Sequence, residues 1–486
     1  MISSATSSNI ALPPTSEAQT QQTNEPALLH RSLLTQPHLV THAQGSYLYL
    51  ADGRKILDAC GGAAVAILGH GNQDVIAATT AQMQQVSYVH TLSYTTTSAE
   101  ELARSVLSRD KCPSYDHGLV RAYFVGSGSE ANDAAMKVAR QYWVELAGGE
   151  RTSRKIYVSR RGGYHGNTIG AMSISGNVSR KKPYLDTVLP NVRLVSPAFA
   201  YRFQKSDDGE TEDMYAARLV GELEAEFLRL GPDNVIMFSG ETMVGATSGC
   251  VAAPKGYWKG VREVCDRYGV LLHLDEIMCG TGRTGTYFAF EREGVQPDIV
   301  TLGKGLGGGY VPIAAMLVSD KIINALRKGS SSFNHGHTYQ AHPVACAAAL
   351  AVQKVIKKDH LVERCAAQGA RLERLLRKTF AGSRFVGDIR GAGLFWAMEF
   401  VEDISSRRPF DPRVGFGVAV QQTAFELGVA IYPGAGTADG ERGDHILLAP
   451  PYNVTDEELE KIVGTLKSAY DLVEQKHMDM TIDSEL

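Results

Sequence analysis

Residues 270–285 read VLLHLDEIMCGTGRTG, an apolar strand that ends in an acidic pair and a glycine-rich turn. A run that is apolar at every position except His273 favours a strand buried on both faces, as in a parallel sheet. Asp275 and Glu276 then stand at the carboxyl end of the strand, the edge where open α/β sheets bind ligands. A carboxylate there can pair with a cationic ligand group, but an Asp275 that caps the next loop or pairs with an arginine fits the same pattern.

The following strand ends beside a lysine. Residues 298–310 read DIVTLGKGLGGGY, with Lys304 between Gly303 and Gly305. Lysine is rarely buried without a partner, and a partly desolvated amine has a lowered pKa and can form a Schiff base. The string is not a P-loop, because Gly305 replaces the required Ser or Thr and Asp298 replaces the first glycine. A lone Gly-Lys-Gly is otherwise most often a surface loop.

A third string, YFVGSGSEANDAAMKVAR (123–140), leads from a strand into a helix. Its segment 126–129 offers backbone amides and the partial positive charge of a helix N-terminus to a phosphate. Residues 126–131 also satisfy the loose dinucleotide pattern G-x-G-x-x-A. A glycine-rich helix start without any ligand is the alternative.

Two shorter strings carry weaker signals. GGYHGNT (162–168) offers Tyr164 as an aromatic plate, although a Tyr-His pair is more often part of a core or turn. FNHGHTYQAHP (333–343) offers Thr338 among histidines. Those nearest to it are too closely spaced for usual zinc ligands, so no metal is expected.

Between about 97 and 340, short apolar runs alternate with amphipathic stretches, which predicts a mostly parallel sheet with helices on both faces. The expected strands are 121–125, 155–158, 235–239, 270–274, 299–302 and 313–318. The expected helices include 130–146 and 256–268.

Beyond this region the pattern predicts a smaller α+β domain. Its expected elements are helices 343–357 and 360–379, strands 393–400 and 428–432, and a final helix 455–474. Near the other end, alternating apolar residues around Asp52-Gly53 indicate a hairpin. The expected organisation is a disordered tail (1–26), an N-terminal part of the small domain (27–90), a large ligand-binding domain (91–340), a C-terminal small domain (341–475) and a tail (476–486).

Composition narrows the classes of function. The chain has 486 residues and a net charge of −4 without an extended basic run, so nucleic acid is not an expected partner. No run approaches about 18 uncharged apolar residues, so no membrane helix is expected. The seven cysteines include no C-x-x-C pair, which favours a reducing compartment over disulfides or zinc. Without a leader signal in the first 26 residues, we expect a cytoplasmic protein.

Taken together, the strings resemble the class III aminotransferases, which are pyridoxal-phosphate enzymes of fold type I. The resemblance runs from about 40 to 470 and keeps the order SGSEA, YHG, Glu241, LDE…GRTG, GKG and HTY. It implies an α/β large domain with a mostly parallel sheet and a smaller α+β domain. The dinucleotide interpretation is dropped, because Asp275 and Lys304 would then have no role.

The resemblance also implies roles for individual residues. Lys304 matches the lysine that holds pyridoxal 5′-phosphate and moves a proton during catalysis, and Asp275 matches the partner of the pyridine nitrogen. Tyr164 and Ile277 match the residues that pack on the two faces of the cofactor ring. Glu241 is expected near the cofactor.

Phosphate binding is implied for Gly128 and Ser129 of the same chain. Thr338 matches a phosphate ligand that the other subunit donates. The resemblance therefore implies an obligate homodimer with its two sites at the interface.

Departures from the family pattern bear on the substrate. Family members acting on acetylornithine, ornithine or 4-aminobutyrate commonly have Gln where this chain has Met278, which is more similar to the ω-amine:pyruvate branch. GDHILLAPPYNVT (443–455) resembles that branch too. Arg442 lies next to, and not in register with, its mobile carboxylate-binding arginine.

Ala63, Tyr88 and Tyr94 match the substrate entrance of the family. The implied function is transfer of an amino group, from an ω- or otherwise non-α amine, to a keto acid such as pyruvate or 2-oxoglutarate. Racemases, decarboxylases and aminomutases share the scaffold and are the alternatives, because the pocket chooses which bond breaks. A non-catalytic binding protein and a nicotinamide-dependent oxidoreductase are less well supported.

Overall fold

The structure is a computed structural model that describes residues 27–485, with side chains described to residue 480. The expected disordered tail, 1–26, lies outside the described residues. The chain divides into one unit up to Leu39 and a compact unit from Val40 onward. All elements described below belong to the second unit.

Seventeen strands occur among the described residues. They are β1 (Val40–Gln44), β2 (Tyr47–Leu50), β3 (Lys55–Asp58), β4 (Leu119–Val125), β5 (Ile156–Arg160), β6 (Val192–Val195), β7 (Val235–Glu241), β8 (Met243–Val244), β9 (Val251–Ala252), β10 (Leu271–Asp275), β11 (Ile299–Leu302), β12 (Ala314–Ser319), β13 (Val386–Ala392), β14 (Phe395–Phe400), β15 (Val429–Ala430), β16 (Tyr432–Ala435) and β17 (Asp444–Leu448).

The same part of the chain forms fourteen α-helices. They are α1 (Gly61–Ala64), α2 (Gln73–Gln85), α3 (Thr97–Val106), α4 (Gly128–Leu146), α5 (Ile169–Ile174), α6 (Val178–Lys181), α7 (Ala200–Phe203), α8 (Glu212–Leu230), α9 (Tyr257–Arg267), α10 (Asp320–Lys328), α11 (Pro343–Lys358), α12 (Leu361–Thr379), α13 (Phe416–Glu426) and α14 (Asp456–Glu485).

The central sheet has seven strands in the order β4-β12-β11-β10-β7-β5-β6. Strand β12 is antiparallel to both of its neighbours, and the other neighbouring pairs are parallel, which confirms the expected mostly parallel sheet. Successive residues of a strand point to opposite faces. In β10, Leu272 and Leu274 belong to one apolar core and Leu271 belongs to another. Both faces are therefore covered, as the mostly apolar sequence of this strand predicts.

The C-terminal region forms an antiparallel sheet in the order β13-β14-β17-β16. Strands β2 and β3 form the expected hairpin, with Gly53 at a φ of +89° in its turn. Strand β3 also pairs in parallel with β15, so an early segment of the chain joins a late one. The domain boundaries proposed from the sequence remain predictions.

The main difference from the expected elements lies at the C-terminus. Helix α14 runs to Glu485, whereas the sequence pattern predicts an end at 474. The residues beyond 474 contain neither Gly nor Pro, so nothing in the local sequence stops the helix. No helix among residues 27–485 is both long and apolar enough to cross a bilayer.

Candidate active site

Three functional side chains converge at the carboxyl edge of the central sheet because their strands run in register. Asp275 ends β10, where it lies opposite Glu241 of β7 on one side and Thr301 of β11 on the other. Strand β11 ends at Leu302, two residues before Lys304. We call Asp275, Glu241 and Lys304 the sheet edge.

Asp275 is 3% exposed and is held by three donors. Its Oδ2 lies 2.8 Å from His165 Nδ1 and accepts a hydrogen bond of 2.8 Å from Asn132 Nδ2. Its Oδ1 accepts one of 3.0 Å from the backbone amide of Ile277. Burial alone would raise the pKa of this carboxyl, but the hydrogen bond and charge of His165 help to hold the pKa below its ordinary value. The carboxylate is therefore kept anionic.

A second layer of polar groups supports Asp275 from behind. Asn132 Oδ1 accepts a hydrogen bond of 2.9 Å from Thr301 Oγ1, and His273 lies between Thr301 and Ser239 at 3.1 Å from each hydroxyl. Burial lowers the pKa of His273 to about 3, so this imidazole stays neutral. Such a network fixes the orientation of the group that it surrounds.

Sequence reasoning assigned no role to His165, Asn132 or His273. Each lies inside a string quoted for another residue, and that position was the only available signal. His165 follows Tyr164, and Asn132 lies one helical turn beyond the phosphate-binding candidates. The hydrogen bonds that select these three residues join segments far apart in sequence, so spacing alone could not identify them.

Lys304 follows the neighbouring strand in a strained conformation. Its φ is +43°, a left-handed value that non-glycine residues seldom adopt, and such outliers cluster at functional sites. Desolvation lowers the pKa of its amine, while the charges of Asp275 and Glu241 act in the opposite direction. Within residues 27–480 the amine makes no hydrogen bond or ion pair, so it is available for chemistry.

Two glycines allow the Ile277 side chain to pack directly on the backbone. A Cβ placed on Gly128 would lie 2.6 Å from Ile277 Cδ1, and one on Gly303 would lie 3.1 Å from Ile277 Cγ2. Any larger residue at Gly128 would therefore displace the Ile277 side chain. The two glycines thus let Ile277 lie close to the start of α4 and to the residue before Lys304.

The start of α4 supplies donors for an anion. Ser127 caps the helix, and Glu130 Oε2 accepts hydrogen bonds from the amides of Gly126 and Ser127 at 2.8 and 2.9 Å. Among the described residues, the next two amides, of Gly128 and Ser129, donate to no protein group. Free first-turn amides at a helix N-terminus suit a phosphate. Together with Lys304, Asp275 and Ile277, they fit pyridoxal phosphate.

Glu241 and Tyr164 form a second side of the site. Glu241 accepts hydrogen bonds from the backbone amides of Tyr164 and Gly245, at 2.8 and 2.9 Å. Burial, followed by the charge of Asp275, raises the pKa of the Glu241 carboxyl. Tyr164 is half-buried, and its ring lies 4.9 Å from the guanidinium carbon of Arg180. Glu241 thus positions the backbone that carries Tyr164.

Glu276, the neighbour of Asp275, holds a loop in place through hydrogen bonds. It accepts hydrogen bonds from Thr242 Oγ1 and from the amides of Ala289 and Phe290, at 2.7 to 2.9 Å. It is fully buried, and desolvation raises its pKa to about 7. The loop-capping role weighed for Asp275 on sequence grounds is filled by Glu276.

The remaining candidates lie in a more open region, and we call Ala63, Tyr88, Tyr94, Thr338 and Arg442 the rim. Tyr88 and Tyr94 are 39% and 66% exposed, and Tyr88 Oη donates to the carbonyl of Thr338 at 3.0 Å. Thr338 is exposed and Ala63 is half-buried. Arg442 forms an ion pair of 2.7 Å with Asp439 at the surface. No rim side chain hydrogen-bonds to Lys304 or Asp275 within the described residues.

Residues 27–480 contain neither a cluster of metal ligands nor a disulfide bond. No group of three or more His, Cys, Asp and Glu side chains there is arranged to hold a metal ion. All seven cysteines are buried with free thiols.

Comparison with known proteins agrees with this geometry. The family described as aminotransferase class-III matches residues 30–470. An uncharacterized aminotransferase of Schizosaccharomyces pombe is 46% identical over 439 residues, which are 90% of this chain and 94% of the relative. An aminotransferase of Gibberella zeae is 42% identical and covers 91% of this chain and 85% of its own.

A solved structure extends the agreement to three dimensions. The omega transaminase from Pseudomonas jessenii in complex with PMP has a TM-score of 0.82 and 32% sequence identity, covering 90% of this chain and 93% of that one. The fold, the motifs and the family match lead to one conclusion. This chain belongs to the class III aminotransferases and is a pyridoxal-phosphate-dependent transaminase of fold type I.

Proposed function

We propose that this transaminase moves an amino group from an ω- or otherwise non-α amine to a keto acid such as pyruvate or 2-oxoglutarate. The chemistry is inferred from two groups that lie at the same sheet edge. The Lys304 amine makes no hydrogen bond within the described residues, and the anionic Asp275 is held by hydrogen bonds. When bound, pyridoxal phosphate supplies an aldehyde that takes up the amino group and a ring that delocalises an electron pair.

Binding and orientation fall to four groups of this chain in the proposal. The amides of Gly128 and Ser129 bind the phosphate at the N-terminus of α4. Tyr164 and Ile277 confine the ring from its two faces. Gly128 and Gly303 leave Ile277 its place, because a Cβ on either would lie 3.1 Å or less from the Ile277 side chain.

Proton handling falls to Asp275 and Lys304. Asp275 keeps a proton on the ring nitrogen, since an anionic partner favours the charged form of that nitrogen. His165 and Asn132 hold the carboxylate in position and limit its pKa. Lys304 Nζ, whose pKa is lowered by desolvation, would take the proton from the substrate carbon that bears the amine and pass it to the aldehyde carbon of the cofactor. It would move a proton in the opposite direction when the keto acid reacts.

The substrate class is inferred from Met278 and from the rim. Met278 is buried with apolar neighbours such as Met243 and Cys279, and it packs so closely on Gly245 that a Cβ there would lie 2.4 Å from its sulfur. A thioether cannot replace the glutamine of the ornithine and 4-aminobutyrate enzymes as a donor to the cofactor. The similar Pseudomonas jessenii enzyme is an omega transaminase. Aromatic Tyr88 and Tyr94 with small Ala63 suit an apolar amine.

The proposal includes an obligate homodimer in the cytosol. An exposed Thr338 hydroxyl that bonds to no group of its own chain within the described residues suits a phosphate ligand donated to a second copy. Seven free thiols suit a reducing compartment.

A single-turnover experiment tests the proposed reaction. Enzyme loaded with pyridoxal phosphate is mixed with an apolar amine and no keto acid. We expect one equivalent of carbonyl product and conversion of the cofactor to its amine form, followed by recovery when pyruvate is added. Unchanged cofactor with an inverted substrate would indicate a racemase. An amino acid tested in the same way would release carbon dioxide if the enzyme were a decarboxylase, so either result contradicts the proposal.

A further inference from the structure

The guanidinium of Arg180 lies beside Tyr164, the residue proposed to stack on the cofactor ring, and has no acidic partner within residues 27–480. Arg180 lies in α6, and its guanidinium carbon is 4.9 Å from the centre of the Tyr164 ring. Within residues 27–480, the guanidinium makes no hydrogen bond and no ion pair. An arginine stacked by its face keeps its N–H groups free along the edge of the plane.

The backbone of α6 is fixed, so Arg180 does not depend on a long flexible loop for its position. The Asn177 side chain accepts a hydrogen bond of 3.0 Å from the Arg180 amide. The next residue, Lys181, donates from Nζ to the carbonyls of Ser173 and Ser175 at 2.8 and 2.7 Å. These bonds tie α6 to the end of α5.

The charge of Arg180 reaches the sheet edge. It is one of the groups that lower the pKa of the Lys304 amine, together with the larger effect of desolvation. Geometry places it on the same side, because Tyr164, on which Arg180 lies, donates its amide to Glu241, and Glu241 lies opposite Asp275 in the sheet. A substrate anion on that side would meet an unpaired cation.

The other candidate for this task is already occupied. Arg442 is paired with Asp439 at 2.7 Å and its side chain is 61% exposed. The loop that carries Arg442 is itself attached to α6, since a Cβ on Gly440 would lie 2.8 Å from Val178 Cγ2. The loop thus packs against α6, and its own arginine is engaged at the surface.

We propose that Arg180, lying along Tyr164, binds the carboxylate of the keto-acid acceptor through a two-pronged ion pair. The inference rests on the proposed transamination and names the residue that selects the acceptor. A keto acid carries its carboxylate next to the reacting carbonyl, and planar guanidinium matches carboxylate geometry. The donor amine needs no such group, so donors without a carboxylate remain substrates while keto acids are bound more tightly than neutral acceptors.

The test compares an acid acceptor with a neutral one. Arg180→Gln is assayed with pyruvate and with acetaldehyde, an aldehyde in which hydrogen replaces the carboxylate of pyruvate. We expect KM for pyruvate to rise on the order of 100-fold, since a hydrogen-bonded ion pair is lost. The rate with acetaldehyde and the first half-reaction with an uncharged amine should change less than about 3-fold. Arg180→Lys, which keeps the charge but loses the planar fork, should show a rise of about 10-fold.

Arg413→Gln is the matched control, since Arg413 is 91% exposed and paired with Asp411, and it should leave KM for pyruvate within about 3-fold of the unaltered enzyme. Arg442→Gln is assayed beside it as the competing candidate. The inference is overturned if Arg180→Gln keeps its KM for pyruvate, if acetaldehyde and pyruvate are affected equally, or if Arg442→Gln gives the larger effect. If the unaltered enzyme yields no carbonyl product from any amine, the proposed transamination fails instead. The amine half-reaction therefore separates the two failures.

Discussion

The sheet edge and the rim differ in how completely a single chain builds them. At the sheet edge, Asp275 is 3% exposed and every one of its donors comes from the same chain. At the rim, Tyr94 is 66% exposed, and within residues 27–480 Thr338 makes its side-chain-mediated contact only where its carbonyl accepts from Tyr88. The contrast indicates that the polar network around Asp275 is complete in one chain, whereas the roles proposed for the rim require a second copy or a substrate.

The largest expected effect concerns Lys304. Lys304→Ala should reduce turnover by about 10⁴-fold or more, because both the cofactor attachment and the proton-transfer group are lost. Turnover and borohydride trapping of the cofactor measure the change. Lys111→Gln is the control, since Lys111 also has a pKa lowered by burial, to about 8, but lies over Tyr287. An equal loss of activity in both variants would contradict the special role of a lysine at the sheet edge.

The second prediction separates two adjacent carboxylates. Asp275→Asn should lower turnover by about 10² to 10³-fold, because the charge opposite the ring nitrogen is lost. Glu276→Gln should change turnover less than about 3-fold but destabilise the fold by roughly 1–3 kcal/mol, since its amide mismatches the buried donors of Ala289 and Phe290. Turnover and denaturant unfolding check the pair. Reversed results would show that the roles of Asp275 and Glu276 are exchanged.

The third prediction concerns pH. His165 lowers the pKa of Asp275, so His165→Phe should raise it, and the charge of Asp275 would be lost at a higher pH as the solution is acidified. The acidic limb of the kcat/KM profile should therefore move to higher pH, with activity reduced about 10 to 100-fold at neutral pH. His42→Gln, a substitution on β1 where His42 stacks on Tyr49, should leave the profile unchanged. An unshifted limb in His165→Phe would contradict the proposed support of Asp275.

The same contrast explains what the sequence could and could not predict. Strand β10 and its acidic end were predictable, because a parallel strand buried on both faces is mostly apolar and its carboxyl end is the ligand-binding edge. His165 and Asn132 were not, since their bonds to Asp275 span 110 and 143 residues. The end of α14 was missed for a local reason. Residues beyond 474 contain no Gly or Pro, so the sequence carries no signal for where the helix ends. Rim roles stay predictions, because exposed side chains are positioned by partners.

The smallest expected effect would break the contrast most directly. Thr338→Val removes one hydroxyl and should weaken cofactor binding by about 10-fold, the loss of one hydrogen bond to a charged phosphate. Spectroscopic titration of the apoenzyme with pyridoxal phosphate measures the affinity. Tyr88→Phe, which removes only the hydrogen bond to the Thr338 carbonyl, should have a weaker effect of the same sign.

Mixed dimers decide which chain Thr338 serves. A Lys304→Ala chain paired with a Thr338→Val chain has one site without the lysine and one site with it. If Thr338 acts across the interface, the site with Lys304 receives an intact threonine from the partner and binds the cofactor with unaltered affinity. If Thr338 acts within its own chain, that site carries the valine and stays about 10-fold weaker. The second result would make the rim as self-contained as the sheet edge, and the contrast between the two regions would disappear.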